Sequence, residues 1–319
     1  MKEPIKILLL LILLISADTA VMGHPSFAET VKERSIIQFW QQTRLALDQV
    51  PIQAKVIART EALPYHTFKI ILQGLNKVKF VALLAIPIQG ETKRNHPWPV
   101  VITTPGFGGQ QQGVMLSECQ RGYAVLQVFP RGQGESAEFY KINGNKLTGN
   151  LVQPDSAYYR GAYADVMRAI DYIYTRKDLD SNRIALVGTS QGGGISLAVA
   201  SLDSRVKTVV AHLPFLCNIN LAAKTEGSLV KQLLDQAKQN NRSARETLAY
   251  FDPYQLVSGL RAPTLISGGG MDKVCPFDTI KSVYDQIKGK KELKFYPDLQ
   301  HTSCLDFYQQ MWRWLEKYL

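Results

Sequence analysis

The chain has 319 residues, 45% of them hydrophobic and 20% charged, ordinary proportions for a folded globular protein. That balance excludes a disordered, collagen-like or coiled-coil chain, and the length allows one large domain or two small ones. The net charge of +10 is spread along the chain. Its densest run, "KGKKELK" from Lys288 to Lys294, reads as a solvated loop before a strand rather than a nucleic-acid patch.

At the start, Lys2 and Lys6 precede an apolar run from Ile7 to Ile15, followed by small and polar residues. This is the layout of a secretory signal peptide, and the run is too short to span a bilayer. Cleavage after Gly23 fits best, with Ala17 and Ala28 as alternatives and an uncleaved anchor as the other reading. Residues 1–23 are therefore expected to be a leader, and the mature chain to be exported to a periplasm or beyond the cell. No later stretch reaches the ~18 apolar residues that a membrane span requires.

Glu29 to Val50 reads as an amphipathic helix ending at Pro51, so residues 24–68 are expected to form an N-terminal helical extension. From residue 69 to 319 short apolar runs alternate with helical patterns. "KFVALLAIP", "WPVVITTPGFGG" and "GYAVLQVFPRGQG" each end at Pro or Gly. A helix follows from about Ala157 to Thr175, then the strand "RIALVG", a helix from Gln191 to about Ser201, and the strand "VKTVVAH". A helical insert from about Asn220 to Tyr250 comes after this, the sixth strand. The strand "APTLISG", a helix near Asp278 to Ile287, the strand "ELKFYP" and a helix from Leu305 to Tyr318 close the chain. Such alternation predicts one α/β domain, with a mostly parallel sheet covered by helices on both faces.

Within that series Gly188-Thr189-Ser190-Gln191-Gly192 matches G-x-S-x-G, between a strand and a helix. A strand that turns sharply into a helix strains the serine backbone and lifts its hydroxyl clear, so the flanking glycines let backbones pass. A phosphate-binding loop is excluded because no Gly-Lys-Ser/Thr follows. The order nucleophile, acid, base then limits the partners. Only His212 and His301 follow Ser190. His212 precedes every acid that could serve, and reads as a satisfied, partly buried histidine. His301, in the loop before the last helix, is the expected base. Among Asp272, Asp278, Asp285 and Asp298, only Asp272 stands at the end of the strand next to that of the histidine. For the oxyanion, the backbone N–H groups of Gln191 and of Phe107, in the loop "TPGFGG", are the expected donors.

With these residues assembled, the chain resembles the acetyl xylan esterase and cephalosporin C deacetylase family, carbohydrate esterase family 7, of the α/β-hydrolase superfamily. The resemblance runs from about Lys69 to the C-terminus. It rests on "RGQG" (Arg131 to Gly134), "GTSQGGG", "PFLCN" (Pro214 to Asn218), "TLAYFDPYQL" (Thr247 to Leu256) and "MDKVCPF" (Met271 to Phe277). It implies the triad Ser190, Asp272 and His301, a supporting element from Arg131 and Gln133 beneath the site, and removal of acetyl groups from sugars or xylo-oligosaccharides without metal or organic cofactor. The chain departs from the family at Thr302, where glutamate is usual, at Pro105-Gly106-Phe107, usually of a His-Gly-Tyr type, and in a shortened segment between Arg131 and Tyr158. That segment builds oligomer contacts in familiar members, so a homo-oligomer stays an open question here. The alternatives are a broad short-chain esterase or peptidase on the same fold, and a hydrolase-like binding protein without turnover.

The four cysteines, Cys119, Cys217, Cys275 and Cys304, match no zinc-binding or redox spacing. Free thiols are the plainer expectation for Cys119 and Cys217. The pairing of the four is left open, and a Cys275–Cys304 disulfide is one hypothesis, because the acid and base loops that carry them must meet.

Overall fold

The computed structural model describes residues 27–59, 65–88, 97–109 and 116–319, without the side chains of 27–34 and 116. The leader expected at 1–23 lies outside the described residues. Apolar runs and helical patterns alternate in space as they do in sequence. Helix α1 (Phe27–Asp48) leads into β1 (Lys55–Ala58), β2 (Tyr65–Gln73), β3 (Lys79–Pro87) and β4 (Trp98–Thr104). Then come α2 (Leu116–Gln120), β5 (Ala124–Phe129), α3 (Tyr158–Ile173), β6 (Leu179–Thr189), α4 (Gln191–Leu202) and β7 (Thr208–His212). The insert holds α5 (Ile219–Ala222), α6 (Leu229–Gln236), α7 (Arg242–Leu248) and α8 (Pro253–Leu256). The chain closes with β8 (Thr264–Gly269), α9 (Phe277–Gln286), β9 (Lys291–Tyr296) and α10 (Leu305–Tyr318). The insert stands where expected, after Thr208–His212, but this is the seventh strand rather than the sixth, because β1 and β2 both precede the five apolar runs read from the sequence.

These strands make one nine-stranded sheet in the order β1-β2-β3-β5-β4-β6-β7-β8-β9. From β5 to β9 all neighbours are parallel, and β1, β2 and β3 add an antiparallel edge. Alternate residues of the central strands serve two cores. Val100, Ile102, Ile184, Leu186, Val209 and Ile266 join the large core under α1, α3, α4 and α9. Val101, Ala185, Val210 and Leu265 face Phe307, Met311, Trp314 and Leu315 of α10. A sheet buried on both faces needs apolar residues at both phases of the period-two pattern, hence the unbroken runs.

The division expected at residue 68 falls inside β2, which pairs with β3 from Tyr65↔Pro87 to Gln73↔Lys79. Only α1 of the first segment is helical, and it is not detached. Ile36, Trp40 and Leu47 enter the main core, each burial contributing about 1.5–3 kcal/mol. Trp40 also stacks on Tyr163 at 5.5 Å and donates its indole N–H to the Tyr250 carbonyl at 2.8 Å. Among the described residues, no helix is long and apolar enough to cross a membrane.

Strand order reverses around β4, whose neighbours are β5 and β6. Ligands of open α/β sheets bind at such a switch point, beyond the carboxyl ends of the strands. Here Thr104 pairs with Gly188, which sets the loop after β4 beside Ser190.

Candidate active site

Ser190 occupies the tight turn between β6 and α4 with φ 55° and ψ −121°, a left-handed conformation that costs a residue bearing a side chain on the order of 1–3 kcal/mol. Three hydrogen bonds hold it there. Its N–H donates to the His212 carbonyl (2.9 Å), and its own carbonyl accepts from Gly194 (3.1 Å) and Phe215 (2.9 Å). The neighbouring glycines are required by contact. A Cβ at Gly188 would lie 2.2 Å from the Gly192 carbonyl carbon, and one at Gly192 would lie 2.4 Å from the Thr104 oxygen.

The structure brings the three expected side chains into one chain of hydrogen bonds. His301 Nδ1 lies 2.8 Å from Asp272 Oδ2, and its Nε2 lies 3.0 Å from Ser190 Oγ. An ionised carboxylate only accepts, so Nδ1 carries the proton and Nε2 is left to accept from the serine hydroxyl. The second oxygen of Asp272 accepts the Cys275 N–H at 2.9 Å. The acid and base loops are zipped together, Gly270 N–H donating to Tyr296 and Met271 N–H to Leu299. A serine so placed can act as a nucleophile, with the imidazole taking its proton. A cavity of about 650 Å³ opens beside His301, lined by residues 270–274 and 300–302. A second, of about 630 Å³, lies between α1 and α8 and has no histidine, cysteine or carboxylate in its walls.

The two expected oxyanion donors sit on either side of a glutamine pair. Gln191 Nε2 donates to the carbonyls of Pro105 (3.2 Å) and Gly106 (3.4 Å) and to Gln133 Oε1 (2.9 Å). Gln133 Nε2 donates to the Gly106 carbonyl as well, at 3.2 Å. Tyr158 and Tyr159 complete the network by donating to Gln133 Oε1 and Gln191 Oε1. In a trans peptide the C=O and the next N–H point in opposite directions, so fixing the Gly106 carbonyl also fixes the Phe107 N–H. The Gln191 N–H, first in its helix, has no intrahelical acceptor. Arg131 lies below, its guanidinium paired with Asp165 at 2.7 and 3.0 Å. Burial works against that charge, but the attraction and hydrogen bonds of Asp165 hold the guanidinium above its ordinary value.

Sequence reasoning missed the tasks of several residues. Asp252, within "FDPYQL", accepts the N–H groups of Asn218, Ile219 and Tyr254 and so ties "PFLCN" to the insert. His212 is buried as expected, and it is also a strut. Its Nε2 must donate to the Thr302 carbonyl (3.1 Å), while Nδ1 faces Ser267 Oγ at 2.5 Å. Thr302, where the resemblance leads one to expect glutamate, thus contributes its backbone to hold the loop of His301. No sequence pattern marks such a contact, because its two ends, the last residue of β7 and the loop after β9, lie far apart in the chain.

Burial lowers His212 from 6.5 to about 4. The unfolded chain therefore takes up a proton below pH 6.5 that the folded chain refuses until about pH 4. Stability is fully present above that window and falls by up to about 3 kcal/mol as pH drops through it. Urea denaturation at pH 7, 5.5 and 4 should show this slope in the wild type and lose most of it in His212→Gln. Equal slopes would mean that other groups carry the acid sensitivity.

The hypothesised Cys275–Cys304 disulfide does not form; among the described residues all four cysteines are free thiols. Cys275 belongs to the core under α4, and Cys304 to the cluster around α10, with the sheet between them. Burial pushes the Cys275 thiol well above its ordinary value, reinforced by the charge of Asp272. It is thereby kept protonated beside the nucleophile.

A strained serine at the switch point of a mostly parallel sheet, bonded to a histidine that is bonded to a buried aspartate, defines a serine hydrolase of the α/β-hydrolase fold. Residues 27–318 match the acetyl xylan esterase (AXE1) family, and the chain belongs to that family. It is 32% identical over 240 residues to the acetyl esterase Axe7A of Xylanibacter ruminicola, an alignment covering 69% of this chain and 53% of that protein. The chain thus spans about half the length of that relative. The acetyl xylan esterase from Paenibacillus sp. R4 superposes with a TM-score of 0.80 at 28% identity, over 89% of this chain and 95% of that one. The acetyl xylan esterase 1 of Thermoanaerobacterium sp. JW/SL YS485 shares the fold, with a TM-score of 0.78 at 23% identity over 89% of this chain and 93% of that one.

Proposed function

We propose that the chain is an exported esterase that removes acetyl groups from acetylated sugars or xylo-oligosaccharides through an acetyl-enzyme. The observation that carries this reading is the hydrogen-bonded chain from Ser190 through His301 to Asp272; membership of the family and the names of its relatives support the choice of ester. Export rests on the leader-like first 23 residues.

Ser190 Oγ attacks the acetyl carbonyl carbon while its proton passes to His301 Nε2. Asp272 stabilises the imidazolium and keeps its tautomer. The N–H groups of Phe107 and Gln191 receive the charge on the carbonyl oxygen, a term worth about 3–4 kcal/mol per donor in comparable sites. His301 then returns the proton to the departing sugar oxygen, leaving acetyl-Ser190. Water repeats the sequence, its proton going to His301, and acetate is released. Each step uses groups that the fold has already oriented.

The test is acetate release from acetylated xylo-oligosaccharides and from p-nitrophenyl acetate, with and without prior labelling by a fluorophosphonate. Release from both, abolished by a label on Ser190, is the expected result. Release from the activated ester alone would discard the carbohydrate reading and leave a broad esterase. Failure of the label to reach Ser190, with no release, would leave a binding protein.

A further inference from the structure

Two lysines stand beside the loops on either side of Ser190, and among the described residues neither has a carboxylate partner. Lys146 stands in the segment between Arg131 and Tyr158, its ammonium 4.2 Å from the centre of the Phe107 ring. The loop that carries it is anchored. Asn145 Oδ1 accepts the N–H groups of Leu147 and Thr148 at 2.9 Å, and Leu147 is fully buried in the main core. Phe107 in turn packs edge-on against Phe215 at 5.6 Å. Lys273 lines the cavity beside His301. The sheet order fixes their relation to Ser190. Phe107 follows β4 and Lys273 follows β8, while Ser190 follows β6, which lies between them.

Among the described residues neither lysine forms an ion pair, although Lys69, Lys231, Lys281 and Lys294 each do. Among the described residues the acid in the wall of the cavity is Asp272, and its oxygens are taken by His301 and the Cys275 N–H. Burial draws the Lys146 ammonium below its ordinary value, the mark of a cation short of solvent. The Phe107 ring face gives partial compensation. A carboxylate arriving with the substrate would give the rest, through a charge-assisted contact in a half-enclosed place.

We propose that Lys146, assisted by Lys273, makes the site selective for acetyl esters whose alcohol portion carries a carboxylate, the chemistry of a uronic-acid-bearing carbohydrate. This rests on the deacetylase reading of Ser190, and it names a substrate class within that reading. Phe107 supplies both the ring under Lys146 and a backbone N–H at the reacting carbonyl, so charge recognition and oxyanion binding share one short loop.

The experiment compares kcat/KM for 4-acetoxybenzoate and 4-acetoxybenzamide, which differ in charge on the leaving group, in the wild type, Lys146→Met and Lys146→Arg. The ratio of anionic to neutral ester should fall about fivefold in Lys146→Met, the upper end for a half-exposed ion pair, and largely persist in Lys146→Arg. In the wild type the same ratio should decline as salt rises toward about 1 M, where screening leaves little of such a pair. A ratio unchanged both by Lys146→Met and by salt overturns the proposal. Because the aryl pair contains no sugar, it reports on Lys146 whether or not carbohydrate is the natural substrate. Acetylated xylo-oligosaccharides with and without a uronic acid branch then separate the cases. Release from neither defeats the carbohydrate reading alone, and equal release from both, with an unmoved aryl ratio, defeats the charge preference alone.

Discussion

Ser190→Ala is expected to lower kcat for acetyl-ester hydrolysis by about ten thousand- to a million-fold, the range seen when a serine nucleophile is removed from an intact triad. The alanine keeps the backbone conformation at φ 55° and loses only the hydroxyl bonded to His301 Nε2. Folding should therefore survive, and a residual rate from the Phe107 and Gln191 donors should remain. Cys275 is a nearby sulfur that could substitute, yet its thiol is pushed well above its ordinary value and supplies almost no thiolate at neutral pH. Acetate release by the purified variant, with its thermal denaturation recorded alongside, checks both halves. Activity above about one part in a thousand would point to a second nucleophile and defeat the assignment.

Arg131→Leu should destabilise the fold by about 3–5 kcal/mol, because it leaves a buried carboxylate without its counter-charge. Asp165 is fully enclosed and is bonded by the Arg131 backbone N–H, by its Nε and by a terminal guanidinium nitrogen. That arginine also donates to the Leu75 carbonyl at 3.2 Å. The site around the pair is cut to fit it. A Cβ at Gly161 would fall 2.4 Å from Arg131 Nε, and one at Gly74 would fall 2.4 Å from Asp165 Oδ1. The double variant Arg131→Leu/Asp165→Leu removes both charges and should recover part of the loss. Urea denaturation at neutral pH measures the difference. A single-variant loss below about 1 kcal/mol would show that Asp165 escapes desolvation in some way the packing does not suggest. The consequence reaches the chemistry too, since Gln133, two residues on, holds the Gly106 carbonyl.

Much of this was legible from residue order. Ser190 stands out because a strand-to-helix turn leaves no room for Cβ atoms at Gly188 and Gly192, a steric demand written directly into residue type. Asp272 and His301 follow from topology, since parallel strands place the loops after β8 and β9 at the same edge as the loop after β6. The strands of the parallel core were readable as unbroken apolar runs. By contrast β2, "YHTFKIILQ", alternates buried and more exposed positions, and its mixed composition did not announce a strand beside the stronger signal of α1.

What the chain order could not supply was the identity of partners across the fold. The separation of Cys275 from Cys304, the strut from His212 to Thr302 and the place of Lys146 over Phe107 each join segments far apart in sequence. Steric and periodic constraints act along the chain, so elements, the elbow and the order of the triad were determined by sequence alone. Burial, charge pairing and side-chain hydrogen bonds act across space, so the glutamine clamp, the free thiols and the unpaired cations were decided only by tertiary packing.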